Sequence, residues 1–178
     1  GYHVYDVLQD NRLRLADLIV GSEGTLGLIT EATVRTDPRP KHRGVVLLFF
    51  DRLENAAHAA SLLATMGVSA CDLMDRRLLT ISRDVDVRFD VIIPRNAEAM
   101  LLVEQHGDDA SELREGLKQV ISRVQRRKRF AFDSRMTMDK EERDLYWHLA
   151  RRVVPRLHRL RGSTRPVPFV EDIAIPPE

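Results

Sequence analysis

Little in this chain of 178 residues can staple it, anchor it in a membrane or give it a dominant charge. Cys71 is the single cysteine. An intrachain disulfide is therefore impossible and a metal cluster built on several thiolates is excluded, while a lone thiol fits a reducing, cytoplasmic setting. The longest apolar run, Val45 to Phe50, falls far short of the roughly 20 residues of a membrane-spanning helix. No transmembrane segment is expected, and no export leader of the charged, apolar, small-residue type opens the chain. A formal net charge of +1 marks it as neither acidic nor basic overall. The six histidines, His3, His42, His58, His106, His148 and His158, include no His-x-x-x-His pair of the kind that holds zinc on a helix, and no metal site is expected.

What is present is a soluble-type composition, 43% hydrophobic and 31% charged, on a chain long enough to bury a core. Its most distinctive stretch is Gly21-Ser22-Glu23-Gly24-Thr25-Leu26-Gly27-Leu28-Ile29-Thr30. Glycines three residues apart, between the apolar run Leu18-Ile19-Val20 and the alternating run Glu31 to Arg35, describe a backbone that turns sharply or approaches something closely. The free N–H groups of such a turn can bond phosphate or ring oxygens. It is not a P-loop, since no Lys-Ser/Thr follows the last glycine, and it lacks the G-x-G-x-x-G spacing of a dinucleotide site. From the residues alone it reads as a glycine turn between two strands.

Downstream, Asp37-Pro38-Arg39-Pro40 suits a boundary. Val45–Phe50 reads as a central strand. Asp51-Arg52-Leu53-Glu54 has the form of a capping box, opening a helix that carries Ala56, Ala57, Ala60, Leu63 and Ala64 and stops at Gly67. Val68–Leu73 reads as a second strand, Arg76–Ser82 as a short helix, and Ala99–Glu104 as a third strand. Ser111–Arg127 is the longest helical pattern, with Leu113, Leu117, Val120, Ile121 and Val124 on one face, and Phe130–Phe132 reads as a fourth strand. A helix follows from Asp139 to about Val153, then an extended, proline-bounded end over Val167–Pro177. Two successive strand–helix–strand units predict an α+β fold, a ferredoxin-like antiparallel sheet with helices on one face.

Val20-Gly21-Ser22-Glu23-Gly24-Thr25-Leu26-Gly27-Leu28-Ile29-Thr30-Glu31-Ala32 closely resembles the segment that closes the FAD-binding domain in the FAD-linked oxidases, the family of glycolate oxidase flavoprotein subunits, D-lactate dehydrogenases and D-2-hydroxyglutarate dehydrogenases. Asp72-Leu73-Met74-Asp75, Leu101-Leu102-Val103-Glu104 and Phe169-Val170-Glu171-Asp172-Ile173-Ala174-Ile175-Pro176 resemble, in the same order, segments of that family's C-terminal cap domain. The likeness is greatest to forms fused to an iron–sulfur region. The resemblance implies an FAD cofactor contacted by Gly21, Ser22, Glu23, Gly24, Thr25, Leu26, Gly27 and Ile29. It implies that residues 41–178 are part of the cap and that residues 1–40, the last strands of an FAD-binding domain, precede it. It implies oxidation of a small 2-hydroxy acid such as glycolate, D-lactate or D-2-hydroxyglutarate, with an iron–sulfur cluster as an electron acceptor elsewhere in the parent and a cytoplasmic, or membrane-peripheral, location for the parent complex.

The chain is expected to be an excised piece of that parent, because the phosphate-gripping half of the FAD domain and the family's His-Gly-Asp-Gly-Asn-like stretch are both missing. Catalytic residues are accordingly not assigned, and the isolated piece is expected neither to act nor to hold FAD. In the family an arginine in a Trp-x-x-Arg motif binds the substrate carboxylate. Here the motif reads Trp147-His148-Leu149-Ala150, which moves the expectation to Arg151 and Arg152, with Arg161 and Arg165 behind them. Residues 123–165 carry 14 Lys and Arg against five Asp and Glu. That asymmetry supports an alternative, a noncatalytic ferredoxin-like module binding nucleic acid. With no nucleic-acid motif and few interleaved aromatics, a solvated helix face is the commoner explanation and no nucleic-acid role is expected.

Overall fold

The computed structural model describes residues 2–5 and 7–151, apart from the side chains of Val85, Ala150 and Arg151. The chain divides into two compact units, Gly1–Pro38 and Arg39–Glu178. Among the described residues no helix is long and apolar enough to cross a membrane. The expected extended end over Val167–Pro177 lies outside the described residues.

The first unit opens with a hairpin of β1 (Leu8–Gln9) and β2 (Arg12–Leu13). Its two-residue turn places Asp10 at φ 47° and Asn11 at φ 58°, the left-handed pair of a type I′ turn that short polar side chains tolerate. A single helical turn, α1 (Leu15–Ile19), follows, with Asp17 in its first turn paired to Arg14 at 2.9 Å. The expected strand over Leu18–Val20 is thus the end of a helix. Residues 27–40 form no strand either, and Leu28 is 92% exposed. A strand needs a hydrogen-bonded neighbour, and the described part of this unit offers that segment none.

The second unit is an antiparallel sheet of β3 (His42–Phe50), β4 (Ala70–Asp75), β5 (Ala99–Gly107) and β6 (Asp133–Thr137), in the order β4-β5-β3-β6. With α2 (Leu53–Ala64) after β3 and α5 (Ala110–Ile121) after β5, this is the expected ferredoxin-like arrangement. Asp109 caps α5 by accepting from the N–H groups of Ser111 and Glu112 at 2.8 and 2.9 Å, and its last turn widens to π geometry over Ser122–Arg127. Sequence and structure part in three details. The Asp51 capping box does not form, since α2 begins after Arg52 and the Asp51 carboxylate accepts from Asn55 instead. Phe130–Phe132 is a connection, and the fourth strand is the more polar Asp133–Thr137 at the sheet edge. Between β4 and β5 there are two helices, α3 (Arg76–Val85) and α4 (Val87–Ile92), where one was expected.

The helices also cover more than one face. Val46, Leu48, Phe50, Leu101 and Val103 pack under α2 and α5, as the fold requires. Val45, Leu47, Phe49, Met100 and Leu102 point the other way. They are buried by Leu79 and Phe89 of α3 and α4, and by Tyr146 and Leu149 of α6 (Lys140–Arg151). The wholly apolar runs Val45–Phe50 of β3 and Ala99–Val103 of β5 are the cause. A strand with one wet face alternates, whereas these runs have no polar positions to give to solvent and demand a cover on both sides. Gly44 has a similar local reason, because a Cβ there would collide with the Leu117 side chain of α5.

Candidate active-site elements

In the first unit the glycine segment folds into consecutive turns. Ser22 N–H donates to the Ile19 carbonyl and Thr25 N–H to the Ser22 carbonyl, both at 3.0 Å. Ser22 is buried. Thr25 Oγ1 bonds the Ser22 carbonyl at 2.6 Å and lies 3.0 Å from the Tyr2 hydroxyl. A hydroxyl has one proton, so Tyr2 is the donor in the second contact. Gly21 and Gly24 adopt φ 75° and 76°, a conformation that a Cβ disfavours. Gly27 has no such constraint and nothing lies within 4 Å of where its Cβ would be. Nothing within the described unit explains a glycine there. A flat group lying along the backbone from outside would, and free N–H groups in such a turn suit the oxygens of a flavin. The residues present therefore fit FAD. Leu26 and Ile29 are exposed beside the turn.

In the second unit a buried carboxylate organises one end of the sheet. Register places Arg43 opposite His106, with Glu104 diagonal to Arg43 and two residues from His106. The strand period of two then puts all three side chains on the α6 face. Glu104 Oε1 accepts from Arg43 Nε and lies 2.6 Å from His106 Nε2, while Oε2 accepts from Trp147 Nε1. The Glu104 side chain is 2% exposed, against 34% for Arg43 and 38% for His106, so the cluster opens toward solvent along those two. Burial pushes the Glu104 carboxyl up, but the bonds from Arg43, His106 and Trp147 outweigh it and hold the group below its ordinary value. With three donors on it, the carboxylate is held in place and in its ionised form. Arg143 of α6 is buried beside them and donates from Nη1 to the Arg43 carbonyl at 3.1 Å. Burial, with the bond to Glu142, pushes the Tyr146 phenol up, so it stays protonated.

Cys71 is unfit as a nucleophile. Burial and the adjacent Asp72 push its thiol up to about 11, so little thiolate exists near neutrality. Reaction of the native chain with a maleimide at neutral pH should be at least roughly tenfold slower than that of the urea-unfolded chain, and equal rates would refute this assignment. Among the described residues no group of three or more His, Cys, Asp or Glu is placed to hold a metal ion. Of the arginines expected near the substrate, Arg151 ends α6 with its side chain undescribed, and Arg152, Arg161 and Arg165 lie outside the described residues, as do Glu171 and Asp172.

Residues 39–178 match the family described as FAD linked oxidases, C-terminal domain. The chain belongs to this family. It is 27% identical over its whole length to the D-2-hydroxyglutarate dehydrogenase of Pantoea ananatis, of which it covers 19%. Glycolate oxidase subunit GlcD of Escherichia coli is 31% identical over 87% of the chain, which covers 30% of that protein. The mitochondrial D-lactate dehydrogenase [cytochrome] 1 of Saccharomyces cerevisiae is 42% identical over 38% of the chain and is covered to 12%. The chain thus spans about a fifth of the length of the D-2-hydroxyglutarate dehydrogenases it matches. Within this FAD-linked oxidase domain, the Glu104 cluster is what sequence reasoning missed. Its signal was the carboxylate that ends the apolar strand Ala99–Glu104, with a histidine two residues on in the same register.

Proposed function

We propose that the chain joins the end of a flavin domain to its substrate cap, and that the intact parent oxidises a small 2-hydroxy acid to the 2-oxo acid. The observation that supports this is the glycine turn, with Gly21 and Gly24 at positive φ and open space beside all three glycines, directly before a domain of the FAD-linked oxidase family. Bound FAD would supply the two-electron acceptor, taking the hydride from C2 of the substrate. The part played by this chain is binding and exclusion. Residues 21–27, with Ile29, present main-chain N–H groups and apolar side chains to the cofactor. The second unit supplies a covered sheet whose polar end carries more guanidinium than carboxylate, suited to an acid substrate. The acceptor of the hydroxyl proton is assigned to the rest of the parent. The sequence likeness to forms fused to an iron–sulfur region supports placing the next electron acceptor there as well.

The test uses the intact parent. Anaerobic addition of glycolate, D-lactate or D-2-hydroxyglutarate should bleach its flavin absorbance with one of the three, and a flavin-loaded parent that none of them reduces would overturn the reading. The isolated chain should be colourless after dialysis, because one turn offers too few contacts to offset the loss of freedom of so large a ligand. Stoichiometric flavin retained by the chain would contradict that expectation. Sequence-selective DNA or RNA binding at physiological salt would favour the noncatalytic alternative.

A further inference from the structure

Arg143 carries a charge that the described residues do not balance. It is 8% exposed, on the side of α6 that packs against the sheet. Its Nη1 is spent on an uncharged acceptor, the Arg43 carbonyl, and its buried Nε has no hydrogen-bond partner. Neighbouring carboxylates are committed elsewhere. Both oxygens of Glu104 are taken by Arg43, His106 and Trp147, and the exposed Glu142 accepts from Tyr146. Among the described residues the cluster therefore sets two guanidiniums, Arg43 and Arg143, against one buried carboxylate. An uncompensated buried cation is costly, and a buried orphan donor calls for an unseen acceptor.

We infer that Arg143 is an anion anchor which, with Arg43 at the open side of the cluster, takes the carboxylate of a small organic acid. Nε is one half of the guanidinium's side-on fork, the edge that receives a carboxylate through two parallel hydrogen bonds. The ordering supplied by Glu104 fits this role. By holding Arg43 and Trp147 in place it keeps the second guanidinium and the α6 face fixed before any ligand arrives. The inference rests on the proposed reading only for the identity of the acid, a 2-hydroxy acid. The competing explanation is a clamp, in which Arg143 merely ties α6 to β3 through the Arg43 carbonyl.

The two differ in ligand-free stability. A clamp loses stability when Arg143 becomes Met, whereas removal of an unbalanced buried charge leaves the melting temperature unchanged or raises it. With the 178-residue chain, glycolate, D-lactate or D-2-hydroxyglutarate at a hundredfold excess over Kd should raise the wild-type Tm by about 5 °C or more. The uncharged analogue ethylene glycol and equimolar chloride should not. Arg143→Met should abolish the shift, and Arg143→Lys, which keeps the charge without the fork, should weaken carboxylate binding by roughly ten- to a hundredfold. Should Arg143→Met fail to fold, Arg143→Lys decides alone. A wild type indifferent to carboxylates, or variants with wild-type affinity, would overturn the anchor. In the parent, KM for the 2-hydroxy acid should rise with Arg143→Met. A flavin still reduced with unchanged KM sinks the anchor and spares the proposed function. Carboxylate binding lost with Arg143→Met, in a parent that oxidises no 2-hydroxy acid, does the reverse.

Discussion

Glu104→Ala should destabilise the second unit by about 3–5 kcal/mol, the cost of leaving the partners of a buried ion pair without their counter-charge. Trp147 is the only tryptophan, and its indole N–H bonds this carboxylate. Its fluorescence during urea unfolding thus reports on the second unit and on the cluster itself. The partners should rank by exposure. Trp147→Phe, which removes the fluorophore and is followed by far-ultraviolet circular dichroism instead, loses one bond to a charged acceptor and should cost about 1.5–3 kcal/mol. His106→Gln, at a third-exposed position, should cost about 0–1 kcal/mol. A Glu104→Ala effect no larger than that of His106→Gln would show that the carboxylate does not organise this end of the sheet.

The same carboxylate makes the stability depend on pH in a defined direction. Its folded value lies below the ordinary 4.5, so the folded state favours the ionised form. The contribution is complete above the unfolded value, declines as pH falls through the folded one, and is gone once both states are protonated. Wild type and Glu104→Gln should therefore converge in stability as pH is lowered below about 4.3.

How far the fold was legible follows from which residues carry their own instructions. The long helical stripe Leu113, Leu117, Val120, Val124 and the apolar strands around Leu47 and Leu102 could be read because periodicity states both the element and its buried side. Two successive strand–helix–strand units then left few ways to build the sheet. Leu18–Val20 and residues 31–35 misled, because β-forming composition predicts a strand only where a neighbouring strand exists to complete the ladder. The turn was legible at Gly21 and Gly24, where local conformation decides the residue. The candidate site was not legible at Glu104 and Arg143. Those two lie 39 positions apart in the sequence, and only the register of β3 on β5 and the docking of α6 bring them to one end of the sheet.

The covering of both sheet faces predicts a pair of matched losses. Leu47 and Leu48 are neighbours on β3, fully buried, and assigned to opposite cores. In a sheet with helices on one face only, Leu47→Ala would trim a wet side chain and be nearly neutral. With α3, α4 and α6 over that face, both Leu47→Ala and Leu48→Ala should cost about 2–5 kcal/mol, a transfer loss plus the cavity that a packed core cannot fully close. Because the two side chains point into separate cores across a backbone that barely moves, the double variant should be close to additive, within about 0.5 kcal/mol, despite their adjacency in sequence. Urea unfolding followed by Trp147 fluorescence measures all three. A Leu47→Ala cost near zero would remove the second layer, and with it the packing that brings Arg143 and Trp147 down onto the Glu104 end of the sheet.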